Sequence, residues 1–201
     1  MGKLEARLSE AGYQVVNLGY PSRKDNIEAL ADEAIAPALK LCPKDAEIHF
    51  VTHSLGGILV RQYLASHTIE NLKHVVMLGP PNQGSEVVDK LHAFPGFHFM
   101  NGDAGMQLGT GELSIPNSLG AADFNVGIIA GNKSINWILS SLIPGKDDGK
   151  VATARTKLEG MNDHIEMPVT HTFMMKNEKV ISQVMHYLKN GRFKQEKKSD
   201  N

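Results

Sequence analysis

The stretch Glu47-Ile48-His49-Phe50-Val51-Thr52-His53-Ser54-Leu55-Gly56-Gly57 sets a serine between a β-prone apolar run and a segment, from Leu55 onward, that is apolar at helical spacing. A serine at such a junction can simply cap the helix. It can also occupy the apex of a very short turn, held exposed above the carboxyl end of the sheet, where its hydroxyl can attack an electrophile. The second arrangement needs small residues beside the apex, which Gly56 and Gly57 supply. It also benefits from a helix N-terminus whose free N–H groups face developing negative charge, so the backbone N–H of Leu55 is a candidate oxyanion donor. Together these features favour Ser54 as a nucleophile. A serine hydroxyl is weak at neutral pH and requires a base, and the base requires a third group to hold its tautomer. The chain carries nine histidines and 22 aspartates and glutamates from which to draw them.

The elbow Thr52-His53-Ser54-Leu55-Gly56 resembles the G-x-S-x-G motif of the α/β-hydrolase superfamily, with Thr52 where the first glycine stands. "THSLGG" is similar to the elbow of bacterial lipase-like serine esterases, including those like the inositol deacylases that act on glycolipid anchors. The resemblance implies the chain order serine, acid, histidine, with the acid after a later strand and the histidine in the loop before the last helix. On that order His171, in "MPVTHTFMM", is the expected base. His164 lies on the wrong side of the preceding apolar stretch, His186 lies within the final helix, and the side chain of His53 leaves the turn in another direction. For the acid, "PGKDDGKV" offers Asp147 and Asp148, in a turn whose Asp and Gly content also has purely local explanations. Lipase-like members carry an aspartate followed by Gly-x-Val, and Asp148-Gly149-Lys150-Val151 matches, so the resemblance selects Asp148; Asp123, Glu159, Asp163 and Glu166 are weaker candidates. "GPPNQGS", from Gly79 to Ser85, resembles a site-lining loop of the same proteins and reads equally as a plain Pro-Pro-Asn turn.

These residues need a scaffold of alternating strands and helices. Lys3 to Ala11 reads as a helix ending at Gly12, and Tyr13 to Leu18 as the first strand. Asp25 and Glu28 suggest a capping-box start for a helix carrying Ile27, Leu30, Ala31, Ala34, Ile35, Ala38 and Leu39 on one face, kinked at Pro37. His74 to Gly79 and Phe124 to Gly131 are further strands, and Asn177 to Asn190 is a closing helix stopped by Gly191. Short apolar runs separated by helices imply a parallel sheet buried on both faces, an α/β fold in three αβα layers. Residues 80–123 hold a short helix at Ser85 to His92, then a Gly-, Phe- and Met-rich stretch that reads as a cover over the site or an insertion. Phe94, Phe97, Phe99, Met100 and Met106 could line an acyl pocket there or serve as ordinary packing. One α/β-hydrolase domain over residues 1–190 and a polar, disordered tail over 191–201 complete the expected organisation.

With 41% apolar residues and a net charge of −1, the chain has none of the basic excess of a nucleic-acid-binding protein. The single cysteine, Cys42, can form no internal disulfide. No apolar run approaches a membrane span, the first ten residues lack a signal-peptide core, and a cytoplasmic location is the default expectation. No metal-ligand spacing is present, and "LGYPSRKD" does not supply the Gly-rich loop of a nucleotide-binding domain, so neither metal nor cofactor is expected.

The function that the resemblance implies is hydrolysis of a small-molecule or lipid carboxylic ester through an acyl-enzyme, with catalytic residues Ser54, Asp148 and His171 and the Leu55 N–H as oxyanion donor. A thioesterase or acyltransferase would use the same residues. Family members also carry an earlier strand ending in a His-Gly loop that supplies a second oxyanion donor; here it is expected upstream of Met1, so the fold is N-terminally short and the location expectation weakens. The competing class is a binding domain that keeps the elbow as architecture without turnover.

Overall fold

The computed structural model describes residues 1–94, 96–135 and 137–195. Helices α1 (Gly2–Glu10) and α2 (Ile27–Lys40) precede strand β1 (Ile48–His53), which turns directly into α3 (Leu55–Ser66). Then come β2 (Leu72–Leu78), the helices α4 (Glu86–Leu91), α5 (Phe97–Met106) and α6 (Ile115–Ser118), and β3 (Val126–Gly131). Helix α7 (Trp137–Ser141), a 3-10 turn at Thr153–Thr156, β4 (Asp163–Met167), a second 3-10 turn at His171–Lys176 and α8 (Glu178–Asn190) complete the order. The strands form one parallel sheet, β1-β2-β3-β4. Pairing aligns His53 with Leu78, Leu78 with Ile129 and Gly131 with Met167, so all four carboxyl ends finish along one edge.

Strand alternation assigns the two faces. Met77 and Ile128 pack with Ile27, Leu30, Ile58 and Leu59 of α2 and α3, whereas Val76, Leu78 and Ile129 pack with Leu4, Leu8, Val180 and Val184 of α1 and α8. A sheet covered on both faces needs apolar residues at successive positions, which is why β3 is buried along its whole length. The three-layer α/β fold is as expected from the alternating pattern.

Several local expectations need correction. Tyr13 to Leu18 forms no strand, and Gln14 to Leu18 make no backbone hydrogen bond to any described residue. Their β propensity has no adjacent edge to pair with: a groove of about 270 Å³, lined by Leu4, Tyr13, Val15, His49 and Val51 among others, separates them from β1. The cap of α2 is Asn26 rather than Asp25, its side chain accepting from the N–H of Ala29 at 3.0 Å, and the helix runs on through Pro37 to Lys40. The tail is ordered at its start, because Phe193 is 1% exposed and its N–H donates to Asp163 Oδ2 at 2.8 Å; residues 196–201 lie outside the described residues.

Within residues 80–123, Ala104 and Leu108 are buried in the α2/α3 layer, Phe97 packs against it, and Gln107 Oε1 accepts from the N–H of Ile27 at 2.6 Å. Phe94 and Phe99 instead face solvent, at 62% and 84% exposure, Met106 is half-buried, and the side chain of Met100 is outside the described set. Cys42 is an unpaired, half-buried thiol whose Sγ lies 3.5 Å from the carbonyl of Ala38. Among the described residues no helix is long and apolar enough to cross a membrane.

The outer edge of β1 yields a prediction. Ile48 N–H and Ser54 N–H both donate toward β2, at 2.9 Å each, so the alternate residues His49, Val51 and His53 turn their backbone groups away from it. In a residue-resolved hydrogen-exchange experiment the amides of His49 and Val51 exchange well ahead of those of Phe50 and Thr52. Equal protection along β1 would contradict this edge.

Candidate active site

Ser54 is the first residue past β1 and sits at φ 55°, ψ −125°, making it the only non-glycine residue with positive φ among those described. Such a conformation costs on the order of 1–3 kcal/mol and persists only where neighbours over-determine it. They do so here: the Ser54 N–H donates to the Leu78 carbonyl at 2.9 Å, and the Ser54 carbonyl accepts from the Gly57 N–H at 3.0 Å. A Cβ at Gly57 would lie 3.1 Å from Pro80 Cβ and 3.2 Å from Met77 Sδ, so α3 crosses the end of β2 closely enough that any side chain there would have to push its neighbours aside. Gly56 faces Thr52, and a Cβ built at Gly56 would make ordinary contact with Thr52 Cβ at 3.4 Å.

His171 opens the 3-10 turn between β4 and α8, and its Nε2 lies 2.9 Å from Ser54 Oγ. Its Nδ1 lies 2.7 Å from Asp148 Oδ2, and its backbone N–H donates to the Asp148 carbonyl at 2.9 Å. Both side chains are enclosed, with exposures of 4% and 0%. The second carboxylate oxygen of Asp148 accepts the N–H groups of Lys150 at 3.0 Å and Val151 at 2.9 Å. The Asp148 carboxylate thus accepts a hydrogen bond from His171 Nδ1–H, which leaves Nε2 as acceptor for the serine hydroxyl. Asp147, the adjacent alternative, is turned elsewhere: it accepts from Ser140 Oγ and from the Gly149 N–H.

The remaining candidates do not reach this cluster. His164 Nε2 pairs with Thr156 Oγ1 at 2.9 Å, His186 Nδ1 with the Arg192 carbonyl at 2.9 Å, and Glu166 with Lys146 at 3.3 Å. Asp163 accepts backbone N–H groups from His164 and Phe193, while Asp123 and Glu159 are exposed. Leu55 is the first residue of α3, where backbone N–H groups have no partner inside the helix. Among the described residues no group of three or more His, Cys, Asp or Glu side chains could hold a metal ion.

Three further residues take contacts that the sequence reading did not assign. Gly79, at φ 55°, backs directly onto the pair: a Cβ there would lie 2.9 Å from Asp148 Oδ2 and 3.2 Å from His171 Nδ1. Arg61 is 5% exposed and donates to the Asn82 carbonyl at 3.0 Å and the Gly120 carbonyl at 2.9 Å, fastening α3 to the loops before α4 and β3. Asn82 itself is 1% exposed and donates to the Thr156 carbonyl at 2.8 Å, so "GPPNQGS" is a scaffold turn whose first residue borders the site. The third is His53, whose Nε2 lies 2.9 Å from the His171 carbonyl with the two rings 4.7 Å apart. Burial, then the neighbouring His171, pushes the His53 pKa from 6.5 down to about 4.

Two outcomes follow for stability. Gly79→Ala destabilises the chain by about 1–3 kcal/mol more than Gly12→Ala in urea denaturation, since both have positive φ but only Gly79 has neighbours within 4 Å. Equal losses would mean that the pair tolerates a methyl group behind it. For His53, the unfolded chain takes up a proton below pH 6.5 while the folded chain resists until about 4, so its contribution is present above pH 6.5 and lost as pH falls. Between pH 7 and pH 5 this amounts to about 2 kcal/mol. His53→Gln therefore loses less stability than the parent chain over that interval, and an unchanged loss would contradict the neutral, buried imidazole.

No family model and no curated protein matches this sequence. Solved structures do resemble it. The mature lipase BlEst2 of Bacillus licheniformis superposes with a TM-score of 0.65 at 20% identity, over 84% of this chain and 76% of that one. The phospholipase PlaB from Legionella pneumophila gives 0.58 at 22% identity over 78% of this chain, but only 42% of its own longer length. A lipase-esterase related protein from Clostridium acetobutylicum gives 0.50 at 14% identity, over 94% of this chain and 87% of that one. A parallel sheet flanked by helices is thus shared with these proteins, and the chain has an α/β-hydrolase-like fold.

Proposed function

We propose that the chain is a serine hydrolase of the lipase/esterase type that cleaves carboxylic esters through an acyl-enzyme. The observation that carries this reading is the unbroken run of two hydrogen bonds from Ser54 Oγ through His171 to the enclosed Asp148 carboxylate. Ser54 Oγ attacks the ester carbonyl carbon as His171 Nε2 takes its proton. Asp148 keeps the proton on Nδ1 and stabilises the imidazolium that forms. The N–H of Leu55 donates to the carbonyl oxygen as it becomes an oxyanion. His171 then returns the proton to the departing alkoxide, leaving Ser54 acylated. A water molecule, deprotonated by the same nitrogen, attacks the acyl carbon; the bond to Ser54 Oγ breaks as His171 returns the proton to that oxygen, and the acid is released. The neighbours' printed identities as lipases and a phospholipase support esters, lipid esters included, as the substrate class.

The reading is tested by hydrolysis of p-nitrophenyl acetate, butyrate and octanoate. Ser54→Ala and His171→Ala each lower kcat by roughly 10⁴-fold or more, and Asp148→Asn by somewhat less. Turnover that survives Ser54→Ala would overturn it.

A further inference from the structure

The His53 side chain is absorbed by no step of that mechanism, yet it reaches across from the elbow to the backbone of the proposed base. Strand alternation puts His49, Val51 and His53 on the face of β1 that looks toward α1 and α8, where Val51 joins the apolar layer. The 3-10 turn that starts at His171 packs into that same layer through Met174. His53 therefore emerges beneath the turn rather than toward Ser54, with its Nε2 2.9 Å from the carbonyl oxygen of His171.

We propose that His53 is a positioning residue: its neutral imidazole donates Nε2–H to the His171 carbonyl and locks the base in register with the nucleophile. The proposal rests on the assignment of His171 as base. Its force comes from how His171 is held. The backbone N–H of His171 is fixed by the Asp148 carbonyl at 2.9 Å, its Nδ1 by Asp148 Oδ2 at 2.7 Å, and its Nε2 faces Ser54 Oγ at 2.9 Å. The carbonyl is the remaining polar group of that residue, and His53 holds it. His53 and Ser54 are consecutive, so one tight turn grips the base at two points, main chain and ring. A displacement of the turn then moves nucleophile and base together.

The chemistry of the partner is specific. A carbonyl oxygen accepts and cannot donate, so His53 must carry its proton on Nε2. A charged imidazole would satisfy the same carbonyl but would lie 4.7 Å, ring to ring, from the His171 imidazolium formed during attack. Burial, then the neighbouring His171, keeps His53 neutral at neutral pH, in keeping with its lowered pKa. A phenylalanine keeps the ring and loses the donor, whereas a glutamine keeps a donor at similar reach and loses the ring.

The test compares His53→Phe and His53→Gln with the parent chain in p-nitrophenyl butyrate hydrolysis, with kcat normalised to sites titrated by a fluorophosphonate. His53→Phe lowers kcat by about 10²-fold with KM unchanged, as expected for sub-ångström misplacement of the base, and His53→Gln restores most of it. A parent-like kcat in His53→Phe, or equal losses in both variants, overturns the proposal. Should both variants fail to fold, long-range ¹H–¹⁵N spectra of the parent chain decide it. His53 as the Nε2–H tautomer supports the clamp, and the Nδ1–H tautomer excludes it. A parent chain without ester turnover overturns the hydrolase reading instead, and the same spectra still report on whether the clamp exists.

Discussion

The bond between His171 Nδ1 and Asp148 Oδ2 is the contact around which the site is arranged. Asp148 has no exposed side-chain surface, and an ionised carboxylate in such a place survives only if its acceptor positions are met. Two backbone N–H groups from its own turn meet one oxygen, and the imidazole meets the other. The carboxylate and the histidine therefore need each other: removing either leaves a buried polar group unpaired, at a cost of a few kcal/mol. A parallel sheet makes the meeting feasible. Ser54 directly follows β1 and His171 lies in the turn after β4, while the segment after β3, which carries α7, brings Asp148 back to the same edge.

That convergence also demands space. Gly57 lets α3 pass the end of β2, and Gly79 lets the turn after β2 pass behind the Asp148–His171 pair. Arg61 supplies the fastening. It is buried, pairs with no carboxylate among the described residues, and donates to carbonyls from two loops, burial lowering its pKa to about 10. Hydrogen bonds from a charged group are worth about 1.5–3 kcal/mol each, enough to hold the start of α3 against the strain at Ser54.

The residues of the cluster were legible for unequal reasons. Ser54 could be read from its junction, because strand, turn and helix are local patterns. Asp148 and His171 needed the resemblance, since nothing in a 23-residue spacing says that two side chains touch. The strands β2 and β3 were legible within about two residues because burial on both faces imposes continuous apolar runs. Tyr13 to Leu18 was misread for the converse reason: it has strand composition, but a strand is defined by its backbone partner, and no described segment pairs with the backbone of Gln14 to Leu18. Asn26 displaced Asp25 as the cap of α2 by a single position, a choice the backbone makes at the N-cap dihedrals. Arg61 carried no signal, and the contacts made by Gly79, read only as the start of a site-lining turn, and by His53, read only as leaving the elbow, stayed hidden because their partners at positions 148 and 171 are distant in sequence.

Whether the Ser54 hydroxyl is activated by this arrangement is the claim on which the account turns, and covalent labelling by a fluorophosphonate measures it without knowledge of the natural substrate. Intact mass and peptide mapping of the purified chain should show a single adduct on Ser54, with labelling slowed by about 10²-fold or more in His171→Ala. Labelling at another residue, or at Ser54 with a rate indifferent to His171, would contradict it.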